Sequence, residues 1–228
     1  MIEFVFMLTH NDATVPNAAD VLAEVRDAGL RYVGFKDVGA TPEELRAVTD
    51  AAHDAGLEVM LEVVSVSPED ERRSLEAASG IDVDWVLGGT HPEVGEAVLA
   101  SAAVRYCPFP GRVEGHPSVL LGAPEEIAEH ARALTARAGV HGVDLLAYRH
   151  PEADHLGLVR AVVEAADGPV IVAGSIVSLD QVRALDAAGA WGFTIGGAIF
   201  EGRLPGGPDV GDQVRRVVEA ARGSEAPA

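Results

Sequence analysis

Pro169-Val-Ile-Val-Ala-Gly-Ser-Ile176 and Trp191-Gly-Phe-Thr-Ile-Gly-Gly-Ala-Ile-Phe200 follow one plan. Each opens with a short apolar, β-favouring run, as a buried strand does, and then breaks at glycine. Between them Ser178 offers an N-cap to a helix over 178–188, and Gly189 offers its close. Strand, glycine turn, helix and strand again make the parallel βα unit.

The same rhythm extends outward through the chain. It predicts strands at about 2–8, 31–36, 57–64, 83–88, 103–108, 142–148, 169–173 and 191–195, with helices at about 16–28, 42–55, 68–79, 92–102, 124–138, 153–166, 178–188 and 211–222. Helix starts carry physical signals. Thr41-Pro42-Glu43-Glu44 and Ser67-Pro68-Glu69-Asp70 each join a hydroxyl cap, an initial proline and acids that favour the positive helix end. Ala123-Pro124-Glu125-Glu126 keeps all but the hydroxyl. Gly29, Gly56, Gly139 and Gly189 stand where helices should close. Eight such units in 228 residues predict an α/β fold: a single (β/α)8 TIM barrel with a parallel eight-stranded core over 1–222 and a flexible tail at 223–228. A doubly wound open sheet would need a glycine fingerprint after the first strand, and Thr9-His10-Asn11-Asp12 is not one.

Composition narrows the function. A net charge of −19 opposes nucleic acid and anionic membrane partners. No apolar run reaches membrane-spanning length, and Met1-Ile-Glu-Phe-Val-Phe-Met-Leu8 lacks the basic region of a signal peptide. The single cysteine, Cys107, excludes an internal disulfide and fits a reducing cytoplasm. A homodimer is compatible with a barrel of this size.

The two glycine turns sit at consecutive strand ends, where barrels often bind phosphate through backbone amides. The stretches 170–176 and 194–200 resemble those of the ribulose-phosphate-binding barrel superfamily, which includes sugar-phosphate epimerases, histidine- and tryptophan-pathway isomerases, synthases and lyases. The resemblance is carried by residues 165–202. It implies a small phosphorylated metabolite held at Gly174, Ser175, Gly196 and Gly197. The chain departs from the epimerases, with Ala173 in place of an acid in strand 7 and its lysine ending strand 2 rather than strand 3. It departs from the pathway isomerases at Cys107-Pro108-Phe109-Pro110, where strand 5 should end in an aspartate. The resemblance therefore implies a ligand class and no particular reaction.

Lys36 is the only lysine, against 16 arginines, and it ends the second strand, where barrel active sites are built. A lysine can lose its proton when desolvated, and an arginine cannot. Alternation puts Val33 and Phe35 toward the helices and Gly34 and Lys36 inward, with interior room at Gly34. By the same rule Glu62 faces inward beside Lys36, as ion-pair partner or second acid/base, and Asp144, Leu146 and Tyr148 point inward from strand 6. Tyr148 and Arg149 near the mouth could orient a ligand, as could His10, Asp12, His91 and His116. The loop 109–122 is long enough for a lid. The other mouth histidine is His150; His53, His130, His141 and His155 read as solvated. No His-x-His or His-x-x-x-His spacing supports a metal, and no cofactor is implied.

Three functions fit: a phosphosugar isomerase, epimerase or lyase working by proton transfer beside a carbonyl; a Schiff-base aldolase using Lys36; and a non-catalytic phosphometabolite-sensing barrel. The last resembles glycerol-phosphate-responsive antiterminators, whose RNA partnership the acidic charge opposes.

Overall fold

The computed structural model describes residues 1–65 and 67–223; the tail expected beyond Gly223 lies outside the described residues. Eight parallel strands form the barrel: β1 Glu3–Met7, β2 Tyr32–Lys36, β3 Glu58–Val63, β4 Trp85–Gly88, β5 Arg105–Cys107, β6 Val143–Leu145, β7 Val170–Val172 and β8 Gly192–Ile195. Ladder bonding runs β6-β7-β8-β1-β2-β3-β4-β5. Between β5 and β6 it is replaced by two amides: His141 donates to the Tyr106 carbonyl at 2.8 Å and Asp144 to that of Pro108 at 3.1 Å. The helices are α1 Ala18–Val25, α2 Pro42–Asp54, α3 Pro68–Ile81, α4 Pro92–Leu99, α5 Pro124–Thr135, α6 His155–Ala165, α7 Leu179–Ala187, the short α8 Gly197–Phe200 and α9 Val210–Ala221. Every expected strand and helix is present, and α8 is additional.

Helix starts follow their signals. Thr41 and Glu44 form a reciprocal capping box, and Ser67 Oγ accepts from the Asp70 amide at 3.2 Å. Where Ala123 lacks a hydroxyl, the Glu126 carboxylate still accepts from the Ala123 amide at 3.2 Å.

Period-two alternation divides the core in two. Phe4, Phe6, Val33, Phe35, Val59, Leu61 and Val86 face the helices, while Val5, Met7, Tyr32, Met60, Trp85, Leu87, Cys107 and Ile171 fill the barrel. Room expected at Gly34 is occupied: a Cβ there would lie 2.5 Å from Met7 Sδ and 3.0 Å from the Met60 carbonyl. The floor is aromatic, with ring centroids of Trp191 5.2 Å from Trp85 and 5.5 Å from Tyr32. Arg105 lies over Trp85 at 4.6 Å, and Trp85 Nε1 donates to Glu58 at 2.9 Å.

Strand 6 is shorter than expected. After Leu145 the chain turns into a 3-10 helix, Ala147–Arg149, in which the Arg149 amide donates to Leu146. Two hairpins were not foreseen: Thr9–His10 with Ala13–Thr14, and Arg112–Glu114 with Val119–Leu121 inside the long loop. His150 ties that loop down, its Nε2 lying 2.8 Å from the Gly122 carbonyl.

Candidate active site

Lys36 and Glu62 are ladder partners at the ends of β2 and β3, so register alone sets them side by side. Both are buried, and Lys36 Nζ lies 3.4 Å from Glu62 Oε1. The ammonium also pairs with Asp12 Oδ1. Asp12 comes from the hairpin after β1, where Asn11 and Asp12 take left-handed φ angles of 49° and 61°, a conformation that Asn and Asp tolerate better than most residues. Thr14 fastens this hairpin to β2: its hydroxyl donates to the Lys36 carbonyl and accepts from the Lys36 amide, both at 2.9 Å.

Asp12 has further partners. Arg149 Nη2 reaches its Oδ1 at 3.3 Å while Arg149 Nη1 donates to the Ser118 carbonyl at 3.3 Å. His116 Nδ1 stands 3.4 Å from Asp12 Oδ2. Burial alone would raise the Asp12 carboxyl, but Lys36, and after it Arg149, hold it below its ordinary value. Asp144 is the opposite case. It is fully buried, neither oxygen has a hydrogen-bond partner among the described residues, and burial, reinforced by the charge of Glu62, pushes its carboxyl well up.

Lys36, Glu62, Asp12 and Arg149 line a cavity of about 210 Å3 at the C-terminal mouth, together with His10, Gly174, Ser175, Gly196 and Gly197. Gly174 and Ser175 take successive left-handed φ angles of 78° and 58°, which turns the chain sharply at the end of β7. Among the described residues, the amides of Gly174, Ser175, Gly197 and Ala198 have no acceptor within the chain. Arg203 also lines the cavity, paired with Glu201 at 2.6 Å; His10 Nε2 is 3.5 Å from the other oxygen of Glu201. The cavity thus offers free backbone donors and an ion-pair cluster that meets them at Gly174.

Gly174 also leaves room for Arg149, whose Nε lies where a Cβ would be. Gly174→Ala should therefore displace Arg149 from Asp12 and cost about 1–3 kcal/mol through overpacking and the unfavourable φ. Denaturant unfolding checks this, and an unchanged midpoint would contradict it.

Two expected site residues stand apart. Tyr148 does not point inward, because the 3-10 turn breaks the alternation; it packs edge-on against His155 at 5.1 Å. His91 is held by Glu71, its Nδ1 2.9 Å from a Glu71 oxygen, and neither lines the cavity. Glu71 is fully buried and also accepts from the amides of Thr90 and His91 at 3.0 and 3.1 Å. An acid in a first helical turn looks like a solvated partner of the helix dipole, so nothing in the sequence marked it. The sequence reading also missed Arg203 and Glu201, which follow α8 without a motif. His130 and His141, expected to be solvated, sit within bonding distance of backbone: the Gly111 amide is 2.9 Å from His130 Nδ1, and the Tyr106 amide 3.2 Å from His141 Nδ1. His53 Nε2 likewise lies 2.9 Å from Asp84. Among the described residues no three His, Cys, Asp or Glu side chains converge as metal ligands.

No family model matches the chain. Two curated isomerases of a doubly phosphoribosylated imidazole-4-carboxamide match locally: that of Halobacterium salinarum is 48% identical over 46 residues, and that of Methanothrix thermoacetophila 51% over 45. Each match spans 20% of this chain and 19% of the relative. Solved structures agree over nearly the whole length. The phosphoribosylanthranilate isomerase of Thermotoga maritima, described as dimeric, gives a TM-score of 0.65 at 17% identity over 98% of this chain and 100% of that one. Orotidine 5'-phosphate decarboxylase of Pyrococcus horikoshii gives 0.70 at 13% identity over 96% and 99%. The tryptophan synthase α-subunit of Pyrococcus furiosus gives 0.66 at 15% over 97% and 98%. These structures share the (β/α)8 barrel fold of this chain.

Proposed function

We propose that the protein is an enzyme acting on a small phosphorylated sugar or sugar acid, moving a proton at the carbon next to a carbonyl. The observation that carries this reading is the sharing of one cavity by Lys36, Glu62 and the free amides of the two glycine turns. A volume of about 210 Å3 suits a small ligand; sites for drug-sized ligands run to roughly 300–1,000 Å3. The phosphate would take the amides of Gly174, Ser175, Gly197 and Ala198, with Arg203 beside them.

The carbonyl end then reaches the ion-pair cluster. Asp12 is spoken for by Lys36 and Arg149, whereas Glu62 pairs only with Lys36 among the described residues. Glu62 is therefore the base. It takes the proton from the α-carbon, the electron pair moves onto the carbonyl oxygen, and the Lys36 ammonium stabilises the resulting enediolate. Return of the proton to the neighbouring carbon, with the hydroxyl proton passing to the former carbonyl oxygen, gives the isomer; delivery of a proton to the opposite face by a second acid gives the epimer. No oxidant or reductant is required. Arg149 and His10 would orient hydroxyls.

The ion pairs around Lys36 favour this reading over a Schiff base, which needs a neutral amine. Borohydride trapping with aldose and ketose phosphates is expected to leave Lys36 unmodified. The direct test is incubation with those phosphates in D2O, followed by NMR. Exchange of one α-proton that vanishes in Glu62→Gln is expected; exchange that persists in Glu62→Gln would remove Glu62 as the base. A cytoplasmic setting belongs to the same proposal and fits a single cysteine, Cys107, left free.

A further inference from the structure

We infer that the ligand's far end is a neutral, hydroxyl-bearing chain and that the site discriminates against a carboxylate there. The inference rests on the phosphate-ester reading above and narrows it, from sugar or sugar acid to sugar.

The reason is the charge and hydrogen-bond balance of the ion-pair cluster, whose Arg149 packs on Gly174. Its cations, Lys36 and Arg149, are both engaged by Asp12, and Lys36 by Glu62 as well. Two positive charges thus face two carboxylates, and neither cation is left over to meet a third anion. Glu201 adds further negative charge at the mouth, where Arg203 pairs with it. One polar atom of the cluster remains incomplete. Asp12 Oδ2 is buried without a hydrogen-bond partner among the described residues, on a side chain only 9% exposed. His116 Nδ1 stops 3.4 Å from it, on a side chain that is 56% exposed.

An ionised carboxylate oxygen only accepts hydrogen bonds. The ligand atom that completes Asp12 Oδ2 is therefore a donor, and a hydroxyl on the carbon chain supplies one. A ligand carboxylate at the same place would bring acceptor against acceptor, and like charge against Asp12 and Glu62 in a site with little water to screen it. Asp12 Oδ2 has almost no exposed surface of its own, so His116, whose side chain is 56% exposed, must swing aside for the hydroxyl to reach it.

The test compares two ligands that differ only at this end. D-arabinose 5-phosphate carries an aldehyde, or the hydroxyl of its ring form, where 5-phospho-D-arabinonate carries a carboxylate. Affinities for the native protein are measured by calorimetry, with inorganic phosphate as competitor. The aldose phosphate should bind at least about tenfold more tightly, the scale of a hydrogen bond to a charged group. Asp12→Asn, which removes the negative charge and supplies a donor, should shrink or invert that ratio. Equal or tighter binding of the arabinonate by the native protein, with phosphate competing, would overturn this inference and leave the phosphate reading intact; so would a ratio that Asp12→Asn does not alter. Failure of inorganic phosphate to compete with either ligand would remove the phosphate reading and this inference with it.

Discussion

Lys36→Ala is expected to lose turnover by about a thousandfold or more while still binding inorganic phosphate, the loss typical of removing a group that stabilises developing charge. The phosphate wall is built from backbone amides of the loops after β7 and β8, none of which depends on the ammonium. The pairing of Asp12 and Glu62 does depend on it. Without Lys36, Asp12 and Glu62 remain as neighbouring carboxylates, Glu62 buried and Asp12 half-buried. Removing one member of a buried ion pair typically costs about 3–5 kcal/mol, so the variant should also unfold at lower denaturant. The pH dependence has a definite sign. The Asp12 carboxyl is held below its ordinary value, so its contribution is present above the unfolded carboxylate range and is lost as pH falls through its folded value. The stability gap between the native protein and the variant should therefore be wide at neutral pH and narrow in acid. Full activity in Lys36→Ala, or equal stability at neutral pH, would contradict the argument. Arginine is a poor rescue, because its fork keeps the charge but not the compact ammonium that fits between the two carboxylates.

Asp144→Asn is expected to stabilise the protein at neutral pH. The native carboxyl is fully buried, unpartnered and raised in pKa by burial and by the charge of Glu62. In the unfolded chain an aspartate loses its proton near pH ~3.9. Between that value and the higher folded one, the unfolded state is ionised and the folded state is not. Each pH unit in that window lowers stability by about 1.4 kcal/mol. Asparagine has nearly the same shape and no proton to lose, so its advantage should grow as pH rises and disappear toward pH ~4. Denaturant midpoints measured across this range decide the matter; a variant less stable than the native protein at pH ~7 would mean that Asp144 works as a charged partner.

Much of this site could be read before any coordinates. Lys36 and Glu62 were legible because β-strand alternation and parallel register are both local rules, and together they leave two inward residues adjacent at the strand ends. The glycine turns were legible because left-handed backbone has few substitutes. The failures have one physical origin, the dependence of a side chain on partners distant in sequence. Tyr148 was expected inward by extending the alternation of β6, but the ladder ends at Leu145 and the 3-10 turn resets the direction of every following residue. His91 occupies a mouth position, yet buried Glu71 from the preceding helix holds it away from the cavity. Interior space at Gly34 was inferred from the missing side chain, while Met7 from the neighbouring strand fills it. Arg203 needed α8, a single turn that no periodicity announces.

The aromatic floor has a consequence for traffic. Tyr32, Trp85 and Trp191 shut the barrel at the end away from the cavity, leaving one doorway for both substrate and product. Because the chain's two tryptophans both belong to that floor, indole emission will report the state of the sealed end and stay nearly silent as molecules come and go. A dye or a tryptophan introduced near Val177, which lines the cavity and is 37% exposed, would instead watch the doorway itself.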